Sequence, residues 1–193
     1  MLELMIVVSI VLVLAAVALY NVQPAIRAVR LHGAASDYAD LLQNARIRAV
    51  KDDRYYTVLT NSGSNPPIAF VDINGNGAYD LGEPMVEFRS NTTPTQFSSG
   101  PSVANLEGQF LPQNGIGSLV TTAAGPTFGP RGLPCTPTPG VNGSTTCPYI
   151  TPTSFVTFLQ DSYGAWAAVT VTPAARVREW SYNPNTGNWS SQN

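Results

Sequence analysis

The sequence predicts an α+β fold in which a long N-terminal helix packs on an antiparallel sheet or a pair of packed sheets, and three features predict it. Residues 1–20 form one apolar run broken only by Glu3 and Ser9. From Ile26 onward, Val29, Ala34, Tyr38, Leu41, Leu42, Ala45 and Val50 recur at mixed three- and four-residue spacing, the signature of an amphipathic helix. After Lys51 the character changes to short β-branched and aromatic runs punctuated by Gly and Pro.

The apolar run is long enough to cross a bilayer as a helix, since about 20 residues rising ~1.5 Å each span the hydrocarbon. A carboxylate inside it is costly, at roughly 2.5–3.5 kcal/mol on insertion scales, so Glu3 calls for a cationic partner. A secretory signal peptide fits poorly. Such a segment carries a basic flank before its apolar core and a small-residue cleavage site after it, whereas here the first basic residue is Arg27 and the helical pattern simply continues. Residues 1–24 are therefore expected to be an apolar transmembrane and polymerisation helix, 25–51 its amphipathic continuation, and 52–193 a β-rich globular domain. Pro24 removes one backbone donor and is a point where the helix could kink or locally melt.

Six segments in the globular part read as strands: 54–60, 67–73, 85–90, 153–159, 166–172 and 176–182. The stretches 91–109 and 133–154 are rich in Thr, Ser, Pro and Gly with almost no charge, which predicts loops. Roughly 140 residues beyond the helix are ample for one hydrophobic core.

The stem LELMIVVSIVLVLAAVAL resembles the N-terminal helix of type IV pilins and pseudopilins. Further along, QNARIRAVKDDRYYTVLT, FVDINGNGAYDLGEPMVEF, FGPRGLP and AVTVTPAARVREW resemble, in that order, the blocks of the GspH/FimT pseudopilin family. The stem departs from the common pattern at Leu12, where glycine is frequent, and at Tyr20, where proline is. The late strand turn departs at Ala174 and Ala175, where glycine is common.

Several expectations follow from the resemblance. Aligned on the glutamate, Met1 and Leu2 match the third and fourth residues of a mature chain, so the leader cut by a prepilin peptidase and the methylated first residue would precede this sequence. Glu3 would pair with the terminal amine of a neighbouring subunit, a cation that offsets its desolvation. The chain would sit in the bacterial inner membrane before assembly, then join identical or related pilin subunits in a helical extracellular filament through the assembly machinery, with the Thr- and Pro-rich loops on the filament surface as candidate carriers of O-linked sugars. Two other roles belong to the same family: a minor pseudopilin of a type II secretion system confined to a periplasmic pseudopilus, and a DNA-binding minor pilin for DNA uptake.

Residues 72–83, DINGNGAYDLGE, match the twelve-position calcium-loop pattern with Asp72, Asn74, Asn76, Gly77, Asp80 and Glu83 in place and the backbone carbonyl of Ala78 as a further ligand. Calcium is accordingly a candidate ligand, although no other cofactor is required. The competing reading is a polar hairpin, because Asn-Gly occurs twice and the helices that flank an EF-hand loop are missing from the pattern. Cys135 and Cys147 enclose a turn-rich stretch; in an exported domain they are expected to form a disulfide, with buried free thiols as the alternative.

Arg176 and Arg178 alternate beside Trp180, a small basic and aromatic patch that could contact a nucleic-acid backbone and stack bases. The net charge of −2 and the scatter of the ten basic residues disfavour nucleic acid as a partner, and the solvated face of an edge strand is the plainer reading. An enzyme is not expected: the lone His32 follows the stem, and no nucleophile–base or metal-hydrolase arrangement is apparent.

Overall fold

The fold is taken from a computed structural model of the chain, which describes residues 2–88, 92–95, 101, 106, 119–120, 124–136, 138–139, 145–147 and 154–191. Most of the two predicted loop stretches, 91–109 and 133–154, lies outside these residues, and so does the candidate glycosylation within them; where they are described, Thr92–Thr95, Pro134–Cys135, Thr138–Pro139 and Thr145–Thr146 are strands rather than loop, because each pairs with a neighbouring strand. Residues 1–30 and 31–193 form two compact units. Helix α1, Leu2–Asp52, supplies the described part of the first and opens the second.

Thirteen strands follow: β1 Tyr56–Asn61, β2 Ile68–Asp72, β3 Met85–Glu87, β4 Thr92–Thr95, β5 Leu119–Val120, β6 Ala124–Phe128, β7 Pro134–Cys135, β8 Thr138–Pro139, β9 Thr145–Thr146, β10 Ser154–Asp161, β11 Trp166–Val171, β12 Val177–Asn183 and β13 Asn188–Ser191. One sheet runs β3-β2-β1-β6-β7 and a second β13-β12-β11-β10-β4, with β5 parallel to β10 and β8 paired to β9 apart from both. All other pairs are antiparallel. The α+β class is as the sequence predicts, and each of the six expected strands is present within a few residues.

The helix unit that belongs to the domain buries Leu31, Ala35, Tyr38, Leu42, Ala45 and Ala49, an alternating four- and three-residue seam, with Ala39 and Leu41 beside it. Against this seam lie Val58, Ala69, Val71 and Phe128 from the first sheet and Phe155, Leu159, Ala167, Val169 and Val171 from the second. Three alanines on the seam, with Ala39 beside it, keep the helix backbone close to the sheets. Three residues of the predicted apolar stripe are exposed instead: Ile26, Val29 and Val50. The true stripe is set by which alanines meet the sheets, and alanine carries too weak a hydropathy signal to compete with valine in a periodicity reading.

The opposite face of the second sheet carries a smaller core of Val156, Phe158, Ala168, Trp180 and Trp189, together with Leu106. Strand alternation explains the split, because on β10 the residues 155, 157 and 159 face the helix while 156 and 158 face away.

Tyr38 ties the layers together. Its ring is fully buried and packs on Phe88, with centroids 6.1 Å apart. Its hydroxyl bonds Thr157 Oγ1 of β10 at 3.1 Å. On the other side, a methyl at Gly125 of β6 would lie 2.8 Å from that hydroxyl and 3.0 Å from the Val58 carbonyl, so only glycine leaves room there. Burial pushes the Tyr38 phenol up to about 12, partly opposed by the Thr157 bond.

Because the folded value lies above the ordinary 10.0, folding favours the neutral phenol; its contribution is complete below about pH 10 and is lost as pH rises towards 12. Tyr38→Phe is expected to lower stability at neutral pH by about 1 kcal/mol through the orphaned Thr157 hydroxyl. Urea unfolding followed from pH 7 upward checks both parts, since the variant should start lower and show a smaller alkaline decline than the wild type.

Candidate functional site

Four groups of residues singled out in the sequence take definite places. On the first unit, α1 exposes Leu4, Met5, Ile6, Val7, Val8, Ile10, Val11, Leu12, Val13 and Leu14, so apolar side chains face outward on every side of the helix. Glu3, also exposed, is the one ionisable side chain in residues 3–16. Ser9 returns its hydroxyl to the Ile6 carbonyl at 2.8 Å, which satisfies the single polar interruption within the helix itself. α1 runs through Pro24 without a break in helix. Among the described residues no helix is long and apolar enough to cross a membrane; the side chains at 17–22 and 24 lie outside those described.

The 72–83 loop joins β2 to β3, so strands flank it, in keeping with a hairpin. Asp72 and Glu83 are both more than nine-tenths buried. Asp72 Oδ1 accepts the Gly75 amide at 2.7 Å and Oδ2 the Gly77 amide at 2.9 Å. Glu83 Oε1 accepts from Ile73 at 2.8 Å and Oε2 from Asp80 at 3.1 Å, which clasps the two ends of the loop. Gly75 and Gly77 sit at φ 76°, the left-handed region that the doubled Asn-Gly turn demands.

The loop therefore brings Asp72, Asn74, Asn76, Asp80 and Glu83 together, with Ala78 between them. Its amides are turned unfavourably for a hard cation: Asn74 and Asn76 both place Nδ2 on Asp80 Oδ2 at 2.6 Å, while their Oδ1 atoms accept the Asn76 and Ala78 backbone amides. Calcium coordinates oxygen, so these amide nitrogens would have to leave Asp80. Among the described residues no group of three or more His, Cys, Asp or Glu side chains is placed to hold a metal ion.

Cys135 and Cys147 form a disulfide with Cα atoms 5.6 Å apart. Closing a loop with a sequence separation of 12 restricts the unfolded chain by about 3 kcal/mol on the chain-entropy account. The bridge anchors the segment after β7 on the first sheet, where Cys135 pairs with Thr127.

On β12, Arg178 is half-buried and Trp180 is 3% exposed, its indole N–H bonded to Thr170 Oγ1 at 2.8 Å. The Trp180 ring belongs to the smaller core and offers no open face for stacking. Arg176 is exposed in the β11–β12 turn, where its amide bonds Thr172 Oγ1 and the buried Ala175 adopts φ 61°. Arg46 steadies that turn by donating to the Ala175 carbonyl at 3.2 Å. A tight turn thus forms with alanine where glycine is the ordinary choice. Next to Arg178 in the chain, partial burial raises the Glu179 carboxyl, with His32 opposing the shift and Asp40 adding to it.

Sequence reasoning passed over Asp161, which is 7% exposed and closes the β10–β11 turn by accepting the Tyr163 and Ala165 amides on Oδ1. The Asp-Ser-Tyr-Gly order, with Gly164 at φ 86°, was its available signal.

Comparison with protein-family models, with curated proteins and with solved structures finds no match.

Glu83→Ala should lower stability by about 1–3 kcal/mol, because the Ile73 and Asp80 amides lose their acceptors. Urea unfolding in a chelator measures this. Repeating it in millimolar calcium tests the loop as a cation site, which requires a calcium-dependent rise in the wild-type midpoint that the variant lacks.

Proposed function

We propose that the chain is a structural subunit of a type IV pilus-like filament, held in a membrane by its apolar stem before assembly and polymerised through that stem afterwards. The observation that carries the reading is the exposed apolar surface from Leu4 to Leu14, headed by the lone carboxylate of Glu3. Water does not tolerate so continuous an apolar surface, and only hydrocarbon or the stems of neighbouring copies can cover all sides of a helix. In either setting Glu3 is an unpaired charge unless a cation meets it, and a neighbour's terminal ammonium supplies that cation while setting the register between subunits. The resemblance of the stem to pilins and pseudopilins, and of the later blocks to the GspH/FimT pseudopilin family, supports the same reading, as does the division of labour along α1, whose residues from Leu31 on are spent on the domain core.

The test is quantitative mass spectrometry of filaments sheared from cells that produce the wild-type chain or Glu3→Ala. The wild-type chain should be a bulk species of the sheared fraction, and the variant should fall by about tenfold or more while remaining in the membrane fraction, in line with a lost buried ion pair. Absence of the wild-type chain from sheared material would overturn the filament role and favour a pseudopilin confined to the envelope.

A further inference from the structure

The C-terminal end of α1 presents an apolar spot with a basic rim. Ile47, Val50 and Lys51 follow one another at three- and four-residue spacing and so share one face of the helix. Ile47 is 65% and Val50 52% exposed, although both are residue types that ordinarily fill cores. One flank of the spot is the β6–β7 turn, since a methyl at Gly132 would stand 3.0 Å from Val50 Cγ2 and 3.3 Å from Arg46 Nε. The exposed Arg131 belongs to that turn, so Arg46 and Arg131 border the two aliphatic side chains on one flank and Lys51 on the other. Asp52, next in the chain, accepts the Tyr56 hydroxyl at 2.9 Å.

The 72–83 loop presents the complement. Leu81 is 98% exposed at its tip, beside the exposed Asp80, and the loop contains no lysine or arginine. An exposed leucine alone is ordinary; this one is held out by a fixed turn. The Asp80 amide bonds Glu83 Oε2 at 3.1 Å, and the Glu83 amide returns to the Asp80 carbonyl at 3.2 Å. Between them Gly82 adopts φ 103°. A tip fixed in this way loses little conformational freedom when it docks.

The two surfaces lie at one end of the domain, towards opposite edges of the first sheet. Asp72, where the loop begins, pairs with Thr57, and Phe128, from which the β6–β7 turn leaves, pairs with Tyr56. In the order β3-β2-β1-β6-β7, β2 and β7 are three strands apart, roughly 14 Å. A surface and its complement placed on different sides of one copy join copies side by side, and a heterologous contact of that kind repeats into a ring or an open helix. We propose that the β2–β3 loop of one copy docks on the α1 end of a second copy, with Leu81 against Ile47 and Val50 and the Asp80 carboxylate among Arg46, Lys51 and Arg131. The contact rests on the filament reading for neighbouring copies with parallel stems, and it adds an interface carried by the domain. It is small, and the stems supply the effective concentration at which it forms.

Cysteine cross-linking of the full chain, in cells that produce it, tests the contact. Leu81→Cys and Ile47→Cys both replace exposed side chains, so neither disturbs a core. With both in one chain, mild oxidation by copper phenanthroline should give a ladder of dimers, trimers and longer species, because each copy carries both halves. Either substitution alone should give at least about tenfold less cross-linked material. Leu81→Cys combined with Tyr163→Cys should give no ladder, since Tyr163 is exposed in the β10–β11 turn, at the end of β11 away from the turn that Arg46 holds. Lys51→Glu added to the productive pair should lower the ladder by about threefold or more. Absence of a ladder from every fraction, equal dimer from Leu81→Cys alone, an equal ladder with Tyr163→Cys, or a ladder indifferent to Lys51→Glu would overturn the contact. Membrane and sheared fractions are read separately. A ladder in the membrane with no chain in sheared material would sink the filament role and keep the contact, whereas sheared filaments without a ladder would sink the contact alone.

Discussion

The wedge of Tyr38 between the two sheets is the interaction on which the domain depends. One side chain from α1 reaches a strand of each sheet, bonding Thr157 on β10 and filling the space that Gly125 leaves on β6. Fully burying an aromatic of this size contributes roughly 1.5–3 kcal/mol, and the phenol needs its partner because a buried hydroxyl without one costs about as much. The surrounding choices follow from it. The alanines at 35, 39, 45 and 49 let the helix approach closely enough for the ring to reach, and the glycine on β6 removes the one methyl that would block it.

This arrangement assigns different tasks to different stretches of a single helix. From Leu31 to Ala49 the apolar side chains are satisfied by the domain's own sheets. From Leu4 to Leu14 they are exposed on all sides and require a covering. A helix that is apolar all round is a buried helix wherever it is stable, and that general requirement, joined to one carboxylate at its head, is the ground on which assembly through the stem is proposed.

Much of the architecture was legible in the residues. The long helix and six of the thirteen strands follow from periodicity and β-branched runs, the Cys135–Cys147 bridge from two cysteines in a domain expected to be exported, and the 72–83 loop announces itself through Asp72, two Asn-Gly pairs and Glu83. What sequence could not yield has physical causes. The packing seam is carried by alanines, whose small hydropathy hides them beside Val29 and Val50. Trp180 reads as a surface aromatic next to two arginines, yet the second sheet has a core on its far face, which strand alternation alone does not reveal. The orientation of the Asn74 and Asn76 amides depends on hydrogen bonds that no spacing pattern encodes.

The central claim is that residues 31–49 complete the core of the domain while the stem does not. Urea unfolding of a fragment spanning residues 26–193, compared with one spanning 53–193, tests it directly. The longer fragment should fold and unfold in a single cooperative transition, and the shorter one, without the helix seam, should show none. A cooperative transition of similar stability in the 53–193 fragment would contradict the account, because the two sheets would then hold together without Tyr38 between them.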